Sequence, residues 1–221
     1  MISQGIFFSL AAYLFGSVPF GKLIANRVAS IDITKHGSKN IGATNVAREL
    51  GVFWGFFTLF LDILKGYVPI TLYISYASQT TDCYSVGLSS VMLSALIGHQ
   101  FSIFLRFKGG KGVGTATGIY LALSPISCLL AAVLFILLVY KWDFISLGSI
   151  VSASAMPLLL AFSGKERSLI IFSALIAGLI ILKHRENIQR MLNGEERKWR
   201  KEAVKPEDQE AFQTPRRSKN I

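Results

Sequence analysis

The chain has 221 residues, 52% of them hydrophobic and only 16% charged, with a mean hydropathy of +0.48. So little charge, gathered in clusters between long apolar runs, excludes an ordinary soluble domain and points to lipid as the solvent. The net charge of +10 flanks those apolar runs and is not interleaved with exposed aromatics, which excludes nucleic acid and fits the positive-inside rule and anionic phosphate ligands.

The N-terminus, Met1-Ile2-Ser3-Gln4, lacks the basic region of a signal peptide, so the first apolar run, about Gly5 to Ala25, is read as a retained membrane helix. Gly16-Ser17-Val18-Pro19-Phe20-Gly21-Lys22 lies at its end and suggests a kink or a close helix contact. A polar stretch, Asn26 to Leu50, follows. The run Val52 to Ala77 is interrupted by Asp62 and Lys65, three residues apart. These two could pair at the interface, or mark function as ionisable groups inside a membrane run do. A short loop around Thr80–Tyr84 holds Cys83 and leads to the run Val86–Leu105. That run contains His99, read as a hydrogen-bonded structural residue. The glycine–lysine loop Lys108–Gly112 comes next, then apolar sequence from Val113 to Tyr140 broken at Ser124-Pro125. Cys128, inside that run, is read as a small apolar residue, and two cysteines so placed make no disulfide framework. Phe144–Phe162 and Leu169–Leu182 are the last apolar runs.

Three segments are basic: Asn26–Leu50, Arg106–Lys111 and the tail from Lys183. The positive-inside rule places all three in the cytoplasm. A simple count of three runs between the second segment and the tail would put the tail outside. The conflict disappears if Val113–Tyr140 crosses twice, turning at Ser124-Pro125, because proline disfavours a helical residue before it. The expectation is an all-α integral membrane protein of about seven transmembrane helices, N-terminus outside and C-terminus cytoplasmic. Its weak point is Val113–Leu123, which reaches only about 16 Å as a helix and crosses thinly or is re-entrant. Residues 1–196 form the membrane domain. Residues 197–221 are read as a mobile charged cytoplasmic tail with at most a short surface helix.

The cytoplasmic segments share glycine, small hydroxyls, amides and isolated cations, a mixture that suits phosphate. Phe107-Lys108-Gly109-Gly110-Lys111-Gly112-Val113 can curl around an anion and offers the free N–H groups of a helix start; it also reads as a flexible basic turn. It is not a Walker A loop, since no glycine lies five residues before Gly110 and Gly112 replaces the Ser/Thr. His36 to Arg48 is dense in donors for a phosphate or polyol, or else caps a helix at the interface. His184, Asn187 and Arg190 share a helix face, but taken alone this stretch reads first as a solvated basic helix end that favours the dipole. No zinc-binding cluster, Asp-rich magnesium segment or Gly-x-Ser-x-Gly elbow is present, and no histidine starts a His-x4-Asp acyltransferase signature.

These residues resemble the bacterial membrane acyl-phosphate:glycerol-3-phosphate acyltransferases. The matching pieces are Gly16–Gly21, Ser38–Arg48, Gly98-His99-Gln100-Phe101 with Phe104-Leu105, Phe107–Val113 and His184–Glu196, in order and register from about residue 4 to 196. Lys39 and Gly114 depart from the family's frequent glycine and alanine, and Ser102 from its proline. The resemblance implies seven membrane helices and a cytoplasm-facing site in the bacterial inner membrane. It also implies transfer of an acyl group from acyl phosphate to glycerol 3-phosphate, giving lysophosphatidic acid and phosphate without a cofactor or metal. Ser38, Arg48, Lys111, His184, Asn187 and Glu196 would be its catalytic residues. Lys108, Gly109, Gly110, Lys111, Gly112 and Asn45 would be its phosphate-binding set. The partners are the two substrates and membrane lipid, with a single copy of the chain sufficient. A transporter for a phosphorylated solute is the other reading, but it predicts polar residues at mid-membrane depth and often inverted repeats. Neither is visible.

Overall fold

A computed structural model describes residues 2–77 and 84–202. Met1, Cys83 with the loop residues before it, and the tail beyond residue 202 lie outside the described residues. All regular structure among the described residues is helical.

The first apolar run is two helices, α1 (Ile2–Ser17) and α2 (Phe20–Ala29), and not one. The break falls at Val18-Pro19, because the proline ring forces the preceding residue towards an extended conformation. A loop with a short 3-10 turn, Ile33–Lys35, leads to α3 (Ala43–Leu50). Ala25, Ile33, Ile41 and Val46 make a small core of their own beneath this loop. Helix α4 (Val52–Tyr76) follows, then α5 (Tyr84–Gln100).

Apolar sequence resumes as the short α6 (Val113–Leu123), breaks at Ser124, and returns as α7 (Pro125–Trp142). The turn expected at Ser124-Pro125 is therefore present, with the proline in the first turn, where its missing N–H has no partner to lose. Then come α8 (Ile145–Phe162), α9 (Arg167–Lys183), α10 (Arg185–Leu192) and the single turn α11 (Trp199–Glu202).

Close helix contacts are made through glycine. A Cβ on Gly66 of α4 would overlap the Thr115 carbonyl oxygen of α6, and one on Gly118 of α6 would overlap the Ile63 carbonyl oxygen of α4. In lipid, where apolar burial drives little association, such backbone approach is a main source of packing energy. Helix α6 is accordingly buried along Thr115, Ala116, Gly118, Ile119, Tyr120 and Leu123, although it is only 11 residues long.

The outer surface is apolar. Phe7, Phe53, Phe60, Ile126, Leu129, Ile136 and Phe162 are all more than half exposed, a belt that water would not tolerate but lipid tails solvate. Among the described residues, five stretches are long and apolar enough to cross a bilayer: Gln4–Ala29, Val52–Tyr76, Tyr84–Leu105, Pro125–Trp142 and Ile145–Phe162. The pair α9 and α10, bent by 58°, makes a sixth if taken as one span. The chain is thus an integral membrane protein of helical architecture.

The two ends of the bundle differ. Gly5 of α1 lies against Gly87 of α5, and Gly16 against Ala95, so these helices run side by side in the same direction. At the end where α1 starts, the α6–α7 turn meets the α8–α9 turn through Ser127 Oγ and Ser163 Oγ, 2.8 Å apart. The basic segments 26–50 and 106–111 and the described start of the third, 183–202, gather at the opposite end.

Candidate active site

A cavity of about 850 Å³ opens at that basic end, between the 37–48 segment, the start of α6, the α7–α8 junction and the segment 184–200. Its floor is polar and its side wall apolar.

The 37–48 segment is shaped by Asn45, which is 2% exposed. Asn45 Oδ1 accepts from the Ser38 N–H at 2.9 Å. Asn45 Nδ2 lies 2.8 Å from the Asn40 carbonyl oxygen and 3.1 Å from that of His36. Both amide atoms are thereby engaged with backbone, so Asn45, although in the cavity lining, builds the loop that presents Ser38. Ser38 is exposed and lines the cavity. Lys39 beside it has φ +58°, a left-handed backbone that glycine adopts without cost. That explains why glycine is the usual residue there in the family that this segment resembles. Arg48, in the last turn of α3, is half-buried and faces the same cavity.

The glycine–lysine loop divides its labour. Lys111 and Gly112 line the cavity; Lys108, Gly109 and Gly110 do not. Lys108 is exposed. The Gly110 N–H donates to the His99 carbonyl oxygen at 3.1 Å. A Cβ at Gly109 would overlap that same oxygen, and one at Gly110 would overlap the His99 ring. These two glycines allow close packing on α5, while Lys111 is the residue the loop delivers.

Lys111 Nζ donates to Asn187 Oδ1. Asn187 Nδ2 donates to Glu196 Oε1 at 2.6 Å, and the same oxygen accepts from Ser146 Oγ at 2.7 Å. Arg190 Nε donates to Glu196 Oε2 at 2.9 Å. One network therefore ties the loop, α8, α10 and the segment after it. Burial lowers the Lys111 ammonium to about 8, against the pull of Glu196 and with a further push from Arg190. Burial alone would raise the Glu196 carboxyl, but hydrogen bonds from Asn187, Ser146 and Arg190 outweigh it and hold the group below its usual value.

His184, just past the end of α9, is 2% exposed and lines the cavity. Burial, then the nearby Lys111 charge, lowers it to about 4. Its Nδ1 lies 2.8 Å from the Ile180 carbonyl oxygen. A carbonyl can only accept, so Nδ1 carries the hydrogen and the neutral ring leaves Nε2 with a lone pair. His184, Asn187 and Arg190 all reach the cavity, as the shared helix face predicts.

Among the residues marked as candidates, Ser38, Asn45, Arg48, Lys111, Gly112, His184, Asn187 and Glu196 come together, and Lys108, Gly109 and Gly110 lie outside the lining. Asp62 and His99 also line the cavity, and Asp62 forms a buried ion pair with Lys65, 2.8 Å apart. The intramembrane charge at Asp62 was the available signal; for His99 it was the motif Gly98-His99-Gln100-Phe101. Ser146 and Trp199 were illegible, because nothing in a serine of an apolar helix or a tryptophan of a charged tail marks a site. Trp199 and Arg200 are docked: the Trp199 N–H donates to the Asp143 carbonyl oxygen at 3.0 Å and the Arg200 N–H to Asp143 Oδ1 at 3.1 Å. Among the described residues, no group of three His, Cys, Asp or Glu side chains is placed to hold a metal ion.

The apolar wall runs from Val52, Phe56 and Leu59 of α4 to Ile136, Val139 and Tyr140 of α7. Phe56, Ile136 and Tyr140 are exposed on the lipid-facing surface. A helical membrane bundle with a cation-lined cavity that continues into a lipid-facing apolar groove defines an integral membrane protein whose polar site opens beside lipid.

Comparison with known proteins narrows this class. The family model described as glycerol-3-phosphate acyltransferase matches residues 6–194. The glycerol-3-phosphate acyltransferase of Syntrophotalea carbinolica is 44% identical over 191 residues, 86% of this chain and 95% of the relative. That of Geobacter sulfurreducens is 45% identical over 189 residues, 86% and 94% of the two chains. The crystal structure of PlsY (YgiH), an integral membrane glycerol 3-phosphate acyltransferase in its glycerol 3-phosphate form, superposes with a TM-score of 0.83 at 35% identity, covering 88% of this chain and 95% of that one. Its lysophosphatidic acid form gives a TM-score of 0.81 with the same identity and coverage. The chain belongs to the glycerol-3-phosphate acyltransferase family.

Proposed function

We propose that this enzyme transfers a fatty acyl group from acyl phosphate to the 1-hydroxyl of glycerol 3-phosphate, giving lysophosphatidic acid and inorganic phosphate. The observation that carries this reading is the two-zone cavity. Its polar floor holds Ser38, Arg48, Lys111, His184 and Asn187, and its apolar wall between α4 and α7 opens to lipid. A phosphorylated polyol and an acyl chain can thus meet without the chain leaving the membrane. The relatives solved with glycerol 3-phosphate and with lysophosphatidic acid support the same acceptor and product. The acyl-phosphate donor is assigned on the motif resemblance.

The acceptor hydroxyl oxygen attacks the acyl carbonyl carbon, the new ester bond forms, and the acyl–phosphate bond breaks with its electron pair on phosphate. An acyl phosphate is a mixed anhydride with a good leaving group, so alignment can supply much of the catalysis, on the order of several kcal/mol. Lys111 and the start of α6 bind one phosphate. Arg48 and Asn187 orient glycerol 3-phosphate, and Ser38 donates to the developing oxyanion. His184 Nε2 accepts a hydrogen bond from the attacking hydroxyl. At about 4 the free ring is too weak a base to hold a proton at neutral pH, but two arriving phosphates raise its basicity. The proton ends on the released phosphate. Glu196 positions Asn187. Lys108, exposed and outside the cavity lining, supplies surface charge only, and one copy of the chain provides every group.

The topology that accompanies this reading has seven crossings in the bacterial inner membrane, with α6 and α7 as the thin hairpin, the N-terminus outside and the cavity facing the cytoplasm. The charged tail, 197–221, is cytoplasmic.

The test is phosphate release by the purified protein from palmitoyl phosphate, with and without glycerol 3-phosphate, beside palmitoyl-CoA. Release that depends on glycerol 3-phosphate, with lysophosphatidic acid formed and the CoA ester unused, is expected. Ser38→Ala, Arg48→Ala and Lys111→Ala should each lower turnover by well over about tenfold. Turnover with the CoA ester alone would refute the donor, and near-normal rates in all three variants would refute the site.

A further inference from the structure

Asp62 and Lys65 of α4 and His99 of α5 form an ionisable cluster at the inner wall of the cavity, with exposures of 4%, 1% and 3%. Lys65 Nζ lies 2.8 Å from Asp62 Oδ1 and 3.4 Å from His99 Nδ1, which is 3.6 Å from the same carboxylate oxygen. Lys65 also stands 5.0 Å over the Phe20 ring. Burying three such groups inside a membrane bundle is costly even when they are paired. The acyl transfer proposed above gives none of them a step.

Their neighbours suggest what they do. The glycine–lysine loop is moulded on His99 and the residue after it. The His99 carbonyl oxygen accepts from the Gly110 N–H at 3.1 Å, and Gln100 Nε2 donates to the Lys111 carbonyl oxygen at 2.9 Å. The His99 ring occupies the space that a side chain at Gly110 would need. On the other side of Lys111, a Cβ at Gly114 would come within 3.0 Å of Asp62 Cβ. Lys111 is thus bracketed, with Gly110 seated on His99 and Gly114 seated on Asp62, and Lys65 ties these two supports together.

We propose that the Asp62–Lys65–His99 cluster is a positioning device that holds the backbone on both sides of Lys111 and so keeps the Lys111 ammonium in the cavity, against Asn187. The three are positioning residues, acting through Lys111. The inference rests on the reading of Lys111 as a phosphate-binding cation. It goes beyond that reading in assigning a role to the buried ionisable groups of α4 and α5.

Two measurements on the full chain in detergent test it. The first is a double-mutant cycle. His99→Ala and Asp62→Asn should each lower kcat/KM for glycerol 3-phosphate by about ten- to a hundredfold, the scale of a small misplacement of a catalytic group. In a Lys111→Ala background each should cost less than about twofold, because a group acting through Lys111 has nothing left to place. Full losses in both backgrounds would give Asp62 and His99 a contact of their own with substrate and overturn the proposal. The second measurement needs no turnover: acetylation of Lys111 followed across pH by mass spectrometry. The wild-type midpoint is expected near 8, and in both variants it should move up towards that of an exposed lysine. An unchanged midpoint overturns the proposal. Should His99→Ala not give a monodisperse protein, His99→Asn is read in the same two ways. A wild type that labels as expected but does not turn over glycerol 3-phosphate would refute the acyltransferase reading and leave the positioning role standing.

Discussion

Burial brings the Lys111 ammonium down to about 8, within reach of ordinary assays, while His184 is neutral and the Glu196 carboxyl is ionised across the same range. The sign follows from which form binds phosphate. In the proposed role only the charged lysine binds, so kcat/KM for glycerol 3-phosphate should fall as pH rises through about 8. A bound phosphate favours the ammonium, so the corresponding limb of kcat should lie at higher pH. Lys111→Arg, which cannot titrate in this range, should remove the limb; its persistence would assign it to another group. The sequence made Lys111 conspicuous through its glycines, but it did not separate the roles inside the loop. Gly109 and Gly110 look like anion-binding glycines by composition, whereas their surroundings are the His99 carbonyl and ring. Asn45 likewise read as a ligand donor, and its amide proves to be engaged by the backbone of the very loop it belongs to.

Among the helices, α6 shows how a segment of only 11 residues holds its place. Its contact with α4 depends on the absence of side chains at Gly66 and Gly118, each against a backbone carbonyl of the other helix. Backbone cannot give way as a flexible side chain can. Gly118→Leu should therefore lower the melting temperature in detergent by several degrees or abolish the monodisperse peak; an unchanged melting curve would show that the two helices are not in this contact. At the α7–α8 junction, Asp143 receives both the Trp199 and Arg200 N–H groups, and Arg200 also stands 5.1 Å over the Tyr140 ring. Only the side chain is removed in Asp143→Ala. That variant should free the segment enough for trypsin to cut after Arg200 faster than in the wild type, which a simple time course would show. The apolar runs and the turn at Ser124-Pro125 were legible because lipid imposes length and proline imposes a break. The break at Val18-Pro19 was readable as a kink, but not as a helix end, since apolar sequence continues on both sides of it.

At the scale of the whole molecule, the basic segments, the third as far as residue 202, meet at one end of the bundle and the start of α1 lies at the other. With the proposed orientation, Lys108→Cys should be labelled by a membrane-impermeant thiol reagent only from the cytoplasmic side, and Lys165→Cys only from the outside, in a background with both native cysteines replaced. Labelling of both from one side would overturn the topology. The sequence by itself determined the solvent, the helical class, the clustering of cations between apolar runs and, through the spacing of its motifs, the family. These depend on local composition and on covalent order, which a one-dimensional string carries in full. Only the tertiary structure decided which candidates share a cavity and that Glu196 acts on Asn187. It alone showed that α4 and α7 supply the apolar wall, and that Asp62, Lys65 and His99 converge behind Lys111. Those are relations between residues far apart in the chain, set by helix packing at backbone contacts, and no single segment records where its neighbour will lie.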